Sequence, residues 1–201
     1  MSFRRRMMMA VNSKPYDAEI EYLESDGNQI IRDYDLILIG YDNTIETKIS
    51  FLGYLSGTSD NIILGAYTNS TSNAYMLSRR GTINTQINVV WGRNAGNGAT
   101  TANIVLGTIT DIKLYPTYGT INGSNITYKT STGNQNTSFF RIINKNVLQR
   151  LYSMKITKSN NVVLDIIPVR VGQVGYMYDK VSGKLFGNLG TGNFILGNDI
   201  N

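Results

Sequence analysis

Three carboxylates near the start of the chain have a spacing that could support catalysis. Glu19 and Glu21 would project from the same face of a strand, and Glu24 would join them if a bulge shifted the phase. Retaining glycoside hydrolysis requires two carboxyl groups about 5–5.5 Å apart, one as nucleophile and one as general acid. A solvated strand edge also carries such charges, because they discourage edge-to-edge pairing. Sugars usually stack on tryptophan side chains in such sites, and the chain has a single tryptophan. We therefore predict no catalytic residues in this segment.

The absence of two residue types removes most other catalytic chemistry. The chain has no histidine and no cysteine, which excludes the commonest general base, a thiolate nucleophile, a zinc centre and a disulfide framework. Asp33, Asp35 and Asp42 are too loosely grouped for a strong calcium site. The glycine-rich residues 187–192 lack the Lys-Ser/Thr pair of a phosphate loop and lead into a strand-like end, which indicates a turn. We therefore predict no enzyme activity, no metal and no cofactor.

The tryptophan stands at the head of a polar loop that could bind a sugar. An exposed indole of Trp91 would stack on the apolar face of a sugar ring. Arg93, Asn94 and Asn97 would then hydrogen-bond to the sugar hydroxyls. The alternative is that Trp91 ends a strand and packs into the core, which its alternation with Val89 favours. The loop is thus a weak hypothesis for carbohydrate binding.

The first residues of the chain combine guanidinium groups with flexible thioethers. The arginines suit acidic or carbonyl-rich grooves, and the methionines suit an apolar slot. The apolar part is shorter than the about 7–15 residues of a signal-peptide core. We predict that residues 1–15 form a docking arm against another protein; the alternative is a frayed N-terminus. The docking residues are Arg4, Arg5, Arg6, Met7, Met8 and Met9.

Charge and hydropathy argue against two further classes of partner. The formal net charge is +5, and part of it comes from the arginines of the arm. A protein that binds nucleic acid shows a longer basic face with interleaved aromatic residues, whereas the remaining lysines and arginines here are scattered singly. No stretch approaches the about 18–20 apolar residues that cross a bilayer. We predict neither nucleic-acid binding nor membrane insertion.

Period-two alternation of apolar and polar residues recurs along the rest of the chain. About a dozen short strands, separated by turn-forming stretches, are typical of a β-sandwich. Residues 158–161 and 179–183 are predicted turns, and residues 144–149 are the one place where a helical turn would fit. Two buried strand faces are predicted, one formed by Ile45, Thr47, Ile49 and Phe51 and the other by Tyr152, Met154 and Ile156.

Segments near the two ends of the chain are similar to the sequence motifs of one family. Residues 22–31 read YLESDGNQII, residues 151–156 read LYSMKI, residues 165–170 read DIIPVR, and residues 175–194 read GYMYDKVSGKLFGNLGTGNF. These motifs resemble the sequence signature of laminin-G/concanavalin-A-like domains in structural proteins of bacteriophages, especially phages of gut bacteria. The family opening ends in I-D-T-G, whereas residues 31–34 here read I-R-D-Y. Between these segments the chain resembles the family only in the general character of its sequence.

The resemblance implies a fold and a place in a particle. The fold is an all-β, concanavalin-A-like jelly-roll sandwich of antiparallel strands over residues 16–201, with the short N-terminal arm before it. The implied protein is a head fibre, capsid decoration or tail-associated component of a virion, made in the host cytoplasm. Its arm would bind capsid or tail proteins, and its lectin-like sandwich would face host or environmental glycans. Because fibre-like appendages are commonly threefold, we expect a homo-oligomer, with a trimer as the first expectation.

Two other functions remain as alternatives. The first is a free carbohydrate-binding lectin module, which would use the same sandwich without a particle. The second is a glycoside hydrolase, because the concanavalin-like fold also hosts glucanases.

Overall fold

A computed structural model describes residues 14–33, 42–55, 62–67, 74–80, 83–93, 100–128 and 140–200. In these ranges the regular elements are strands, as expected from a sequence rich in β-branched and aromatic residues, and no helix has the length and apolar character needed to cross a membrane. In chain order the strands are β1 (Ala18–Ile20), β2 (Leu23–Asp26), β3 (Ile31–Asp33), β4 (Asn43–Tyr54), β5 (Ile62–Ala66), β6 (Ala74–Arg80), β7 (Ile83–Arg93), β8 (Thr100–Asn103), β9 (Ile109–Leu114), β10 (Tyr118–Ile121), β11 (Ser124–Thr127), β12 (Phe140–Ile143), β13 (Val147–Lys158), β14 (Asn161–Val171), β15 (Val174–Asp179), β16 (Leu185–Phe186), β17 (Ile195–Leu196) and β18 (Asp199–Ile200).

The strands form two antiparallel sheets. The first sheet has the order β11-β10-β9-β4-β13-β14-β1-β18, with β2 and β17 attached beside β13 and with β15 and β16 attached beside β14. The second sheet has the order β3-β12-β5-β6-β7-β8. Strands distant in sequence are neighbours in both sheets, as in a jelly roll. The predicted all-β sandwich of antiparallel strands is confirmed.

The core lies between the two sheets. Ile45, Ile49 and Phe51 of β4 are fully buried there, and Leu77 and Val89 of the second sheet belong to the same apolar cluster. The alternation in β4 follows from the period of a strand, because successive side chains point to opposite faces. The buried face predicted for β4 is therefore confirmed.

A β-bulge removes Tyr152 from the buried face predicted for β13, whereas Met154 and Ile156 are buried as predicted. Leu151 is opposite Ile49, but Ser153 is opposite Lys48, so Tyr152 has no partner of its own on β4. The extra residue shifts the alternation, which leaves Leu151 and Met154 buried and Tyr152 half-buried. The prediction that Tyr152 shares the buried face of Met154 and Ile156 is wrong. At this point β13 also changes its neighbour from β2 to β14.

The turns follow the local sequence more closely than the bulge does. Ser159 and Asn160 have φ angles of 47° and 66°, which suit the hairpin turn predicted at residues 158–161 between β13 and β14. The helical turn allowed at residues 144–149 is wrong, because β13 already begins at Val147. The hairpin of β10 and β11 is absent from the predictions above, although its turn is the Asn-Gly pair that favours this conformation.

Candidate ligand-binding groove

Four neighbouring strands of the first sheet place charged side chains on its outer face. Their apolar residues fill the core, so the polar residues that alternate with them face away from it. The register sets Lys113 of β9 opposite Glu46 of β4, which is in turn opposite Lys155 of β13. Lys155 is opposite Asp165 of β14. Charges of alternating sign therefore cross the sheet in one row.

Short ion pairs hold this row together. The Glu46 carboxylate lies between two ammonium groups, 2.7 Å from Lys155 Nζ and 3.3 Å from Lys113 Nζ. Asp165 Oδ1 lies 3.7 Å from Lys180 Nζ, just beyond the end of β15. A second pair runs beside the row, because Lys48 is opposite Asp111 with 3.8 Å between Nζ and Oδ1. Each of the three carboxylates in these pairs, Glu46, Asp111 and Asp165, thus has at least one lysine beside it.

The pair of Glu46 and Lys155 favours the charged form of both side chains. The hydrogen bond from Lys155 lowers the pKa of Glu46 below its ordinary value, although partial burial opposes that shift. The same bond raises the pKa of Lys155. The two side chains are 30% and 39% exposed, so water screens the pair and limits its contribution to stability. The pair therefore serves to position charge more than to stabilise the sheet.

These residues border an open groove with a volume of about 440 Å³. That volume falls within the range of about 300–1,000 Å³ that is usual for small-molecule sites. Four lysines and three acidic residues line the groove, namely Lys48, Lys113, Lys155, Lys180, Glu46, Asp111 and Asp165. The other lining residues are Thr47, Ile112, Ser153, Met154 and Ile167. We refer to these twelve residues as the groove.

Aromatic side chains lie beside the groove. Tyr178 of β15 is opposite Ile167, so the two side chains share the outer face of the sheet. The Tyr178 ring is half-buried and packs against Tyr16 with 5.0 Å between centroids. At the bulge in β13, Tyr152 packs against Tyr22 with 5.5 Å between centroids. The outer face thus combines a charged part with a rim that offers apolar ring surface.

The tryptophan predicted to stack on a sugar lies in the core. Trp91 is 0% exposed and packs edge-on against Tyr75 with 5.4 Å between ring centroids. The core alternative for Trp91 is therefore the arrangement found, and its indole offers no surface to a ligand. Arg93 is the last residue of β7, while Asn94 and Asn97 lie outside the described residues.

The docking arm also falls outside the described part of the chain. Arg4, Arg5, Arg6, Met7, Met8 and Met9 precede Lys14, where the description begins. Docking through these residues stays a prediction.

The three N-terminal carboxylates have separate partners. β1 ends at Ile20, so Glu21 lies beyond the strand and does not share a strand face with Glu19, contrary to the prediction. Glu19 accepts hydrogen bonds from the side chains of Lys14 and Tyr16. Glu21 accepts from Asn198, and Glu24 forms an ion pair with Arg150. Each of the three carboxylates is thus engaged by a different set of partners.

The aspartates considered for calcium are likewise dispersed. Asp33 is buried in β3, and Asp42 accepts a hydrogen bond from Ser159. Asp35 lies outside the described residues. Across the ranges that the structure describes, no three acidic side chains are grouped as metal ligands would be.

The segments that carry the family resemblance meet in space. Asn188 Oδ1 accepts a hydrogen bond of 2.9 Å from the Ile30 backbone, and Gln29 Nε2 donates one of 3.0 Å to the Asn193 carbonyl. Two backbone bonds, from Leu189 to Ile30 and from Thr191 to Asn28, join the same segments. We call residues 25–30 with residues 188–193 the clasp.

Close backbone contact explains a glycine in the clasp. A Cβ added at Gly190 would stand 2.0 Å from the Asn28 carbonyl oxygen, which no real side chain tolerates. The Ser25 hydroxyl in turn donates to Gln29 Oε1, so the amide that bridges the clasp is held from both ends. These contacts join the segment after β2 to the segment before β17.

The turn after β15 is built in the same manner. Asp179 is buried, and its carboxylate accepts hydrogen bonds from the backbone of Asp165, Val181 and Ser182. The predicted turn at residues 179–183 is confirmed by this network, which ties β14 to the hairpin.

The groove was not predicted from sequence, because its signal is spread over four strands. Glu46 and Lys48 alternate in β4 as in any solvated face, and Asp111 with Lys113 does so in β9. Only the register between strands shows that opposite charges meet. No protein-family model matches the chain, and no curated protein matches it in sequence.

Proposed function

We propose that this protein is a structural component of a bacteriophage virion, a head fibre, capsid decoration or tail-associated protein. The arm of residues 1–15 would attach it to capsid or tail proteins, and the sandwich would face outward. The observation that supports the proposal is the clasp. Two segments that resemble the phage signature form one hydrogen-bonded unit, although they lie more than 150 residues apart. Ile30 and Asn188, which are bonded to each other, are separated by 158 positions.

A surface role agrees with the distribution of polar contacts. The signature residues use their side chains on backbone groups inside the protein, as Gln29 and Asp179 do. The outer face of the first sheet is left to carry charges that face solvent. A display protein needs this division, because its scaffold must stay constant while its surface contacts other molecules.

Particle incorporation tests the proposal. The full chain and a variant lacking residues 2–9 are produced during phage growth, and purified particles are examined by mass spectrometry. We expect the full chain in the particles and the truncated chain only in the soluble fraction, with unchanged circular dichroism and melting. Absence of the full chain from the particles would overturn the virion role. Normal incorporation of the truncated chain would show that the arm has no docking role. Light scattering during size-exclusion chromatography would test the expected trimer.

A free carbohydrate-binding module is the second candidate, and the groove with its tyrosine rim favours it. Carbohydrate sites combine hydrogen-bonding groups with an apolar ring surface, and this face offers both. Glycan binding by a chain that does not enter particles would favour this candidate over the virion role.

A further inference from the structure

The groove carries more ammonium groups than carboxylates. Its four lysines outnumber its three acidic residues, and the imbalance is local. Lys113 and Lys155 share the Glu46 carboxylate, Lys155 and Lys180 lie on either side of Asp165, and Lys48 has Asp111 beside it. Four ammonium groups therefore share three carboxylates, which leaves one positive charge of the groove for an anion from outside.

The charged groups also limit the kind of anion that can bind. A polyphosphate such as a nucleic acid carries a charge at every backbone unit and would meet Asp111, Glu46 and Asp165 along the groove. An anion with few, widely spaced charges would avoid that repulsion. Hydroxyl groups between its charges could donate to the carboxylates and accept from the lysines, which bear only donors.

The tyrosine rim adds the remaining feature. Tyr178 is next to Ile167 at the edge of the groove, so a ligand that extends along the row from Lys113 meets an aromatic ring. A ring with axial hydrogens can rest on such a surface while its hydroxyls contact Ser153 and the charged row. Widely spaced charge, many hydroxyls and an apolar ring face together describe one ligand class.

We propose that the groove binds an acidic oligosaccharide, with a ligand carboxylate bridging Lys113 and Lys155 on the solvent side of Glu46 and a more distant sugar ring of the same ligand against Tyr178. The inference rests on the glycan-binding part of the proposed function and names its ligand class and site. Charge-assisted hydrogen bonds from the two ammonium groups would supply the preference for the acid. Because the lysines are exposed to solvent, binding should weaken as salt rises and the screening length falls.

Calorimetric titration of the full chain tests the inference with two matched ligands. The first is sialyllactose, a trisaccharide with a single carboxylate, and the second is its methyl ester, which keeps the sugar backbone and removes the charge. The test variant is K113Q/K155Q. The control variant is K158Q/K184Q, which removes the same two charges outside the groove. Thermal melting of both variants verifies that they fold.

We expect sialyllactose to bind wild-type protein and the control variant equally, and K113Q/K155Q about tenfold more weakly or not at all. K113R/K155R should restore most of the binding. The methyl ester should bind at least about tenfold more weakly than the acid.

The other outcomes overturn the inference in distinguishable ways. Equal binding of acid and ester, unchanged in K113Q/K155Q, would leave glycan binding standing and remove the acidic ligand and its site. Equal loss of binding in both variants would indicate general attraction to a basic protein and would also overturn the site. No binding of either ligand would overturn the inference, and failure across a broad glycan array would overturn the glycan-binding function itself. Particle incorporation, measured separately, would be unaffected.

Discussion

The clasp and the groove use polar side chains in opposite ways. In the clasp, the buried amide of Gln29 and the Asn188 side chain bond to backbone groups of a distant segment. In the groove, Glu46 and Lys155 bond to each other while remaining about one-third exposed. A buried hydrogen bond is expensive to remove because its partner is left unsatisfied, whereas an exposed ion pair exchanges readily with water. Burial therefore decides which polar groups hold the fold and which remain available to a ligand.

The largest effect is expected from a methyl group placed inside the clasp. Gly190→Ala would drive its Cβ into the Asn28 carbonyl oxygen, 2.0 Å away, so the backbone must move. We expect the free energy of unfolding to fall by about 3 kcal/mol or more, measured by chemical denaturation. Gly187→Ala is the control, because its Cβ would meet only the Tyr176 ring at 3.2 Å. Equal stability of the two variants would mean that the clasp is not a close backbone contact.

A smaller loss is expected when the clasp loses the side chain of Asn188. Asn188→Ala removes the acceptor of the Ile30 and Gly190 backbone N–H groups. Leaving these donors unsatisfied should lower the free energy of unfolding by about 1–3 kcal/mol. Asn28→Ala, which removes only an exposed bond to Asp26, should change it by less than about 0.5 kcal/mol. Similar losses in both variants would contradict the distinction between buried and exposed polar groups.

Replacing a buried amide in the core should raise the free energy of unfolding instead of lowering it. Gln149 is 0% exposed, and among the described residues neither amide atom has a hydrogen-bond partner. Gln149→Leu removes the desolvation cost and keeps a similar volume, so we expect a stabilisation of about 1 kcal/mol. Thermal and chemical unfolding would measure it, and a clear loss of stability would show that the amide has an important partner.

The smallest effect on stability is expected in the groove. Glu46→Gln should lower the free energy of unfolding by less than about 1 kcal/mol at neutral pH, because the ion pair is partly exposed. The lowered pKa of Glu46 means that its contribution is present above the unfolded value of 4.5 and is lost as the pH falls through the folded value.

Deprotonation of Lys155 sets the alkaline limit of the stability that this ion pair contributes. The raised pKa of Lys155 means that its contribution is complete below 10.5 and is lost as the pH rises through the folded value. The difference between wild type and Glu46→Gln should thus be constant at neutral pH and shrink at both extremes. Denaturation curves across this pH range provide the measurement, and a difference that grows at low pH would contradict the assignment.

Local patterns account for much of the fold. The alternation of Ile45, Ile49 and Phe51 predicted a buried strand face, since the period of two belongs to the strand itself. The Ser159-Asn160 turn was predicted for a similar reason, because short polar residues tolerate the positive φ that a tight hairpin requires. Such features depend on neighbours along the chain and can be recognised without knowing what packs against them.

Features that depend on pairing between distant strands could not be predicted. Tyr152 continues the alternation of β13 in sequence, but a bulge opposite β4 turns it away from the core. Glu46, Lys155 and Asp165 each belong to an ordinary solvated strand face, and only the register of three strands aligns them in a groove. The amino-acid sequence by itself determined the strands, the turns and the sequence motifs that form the clasp. The tertiary structure decided where the bulge falls and which charges meet, because register is set by contacts between strands far apart in the chain.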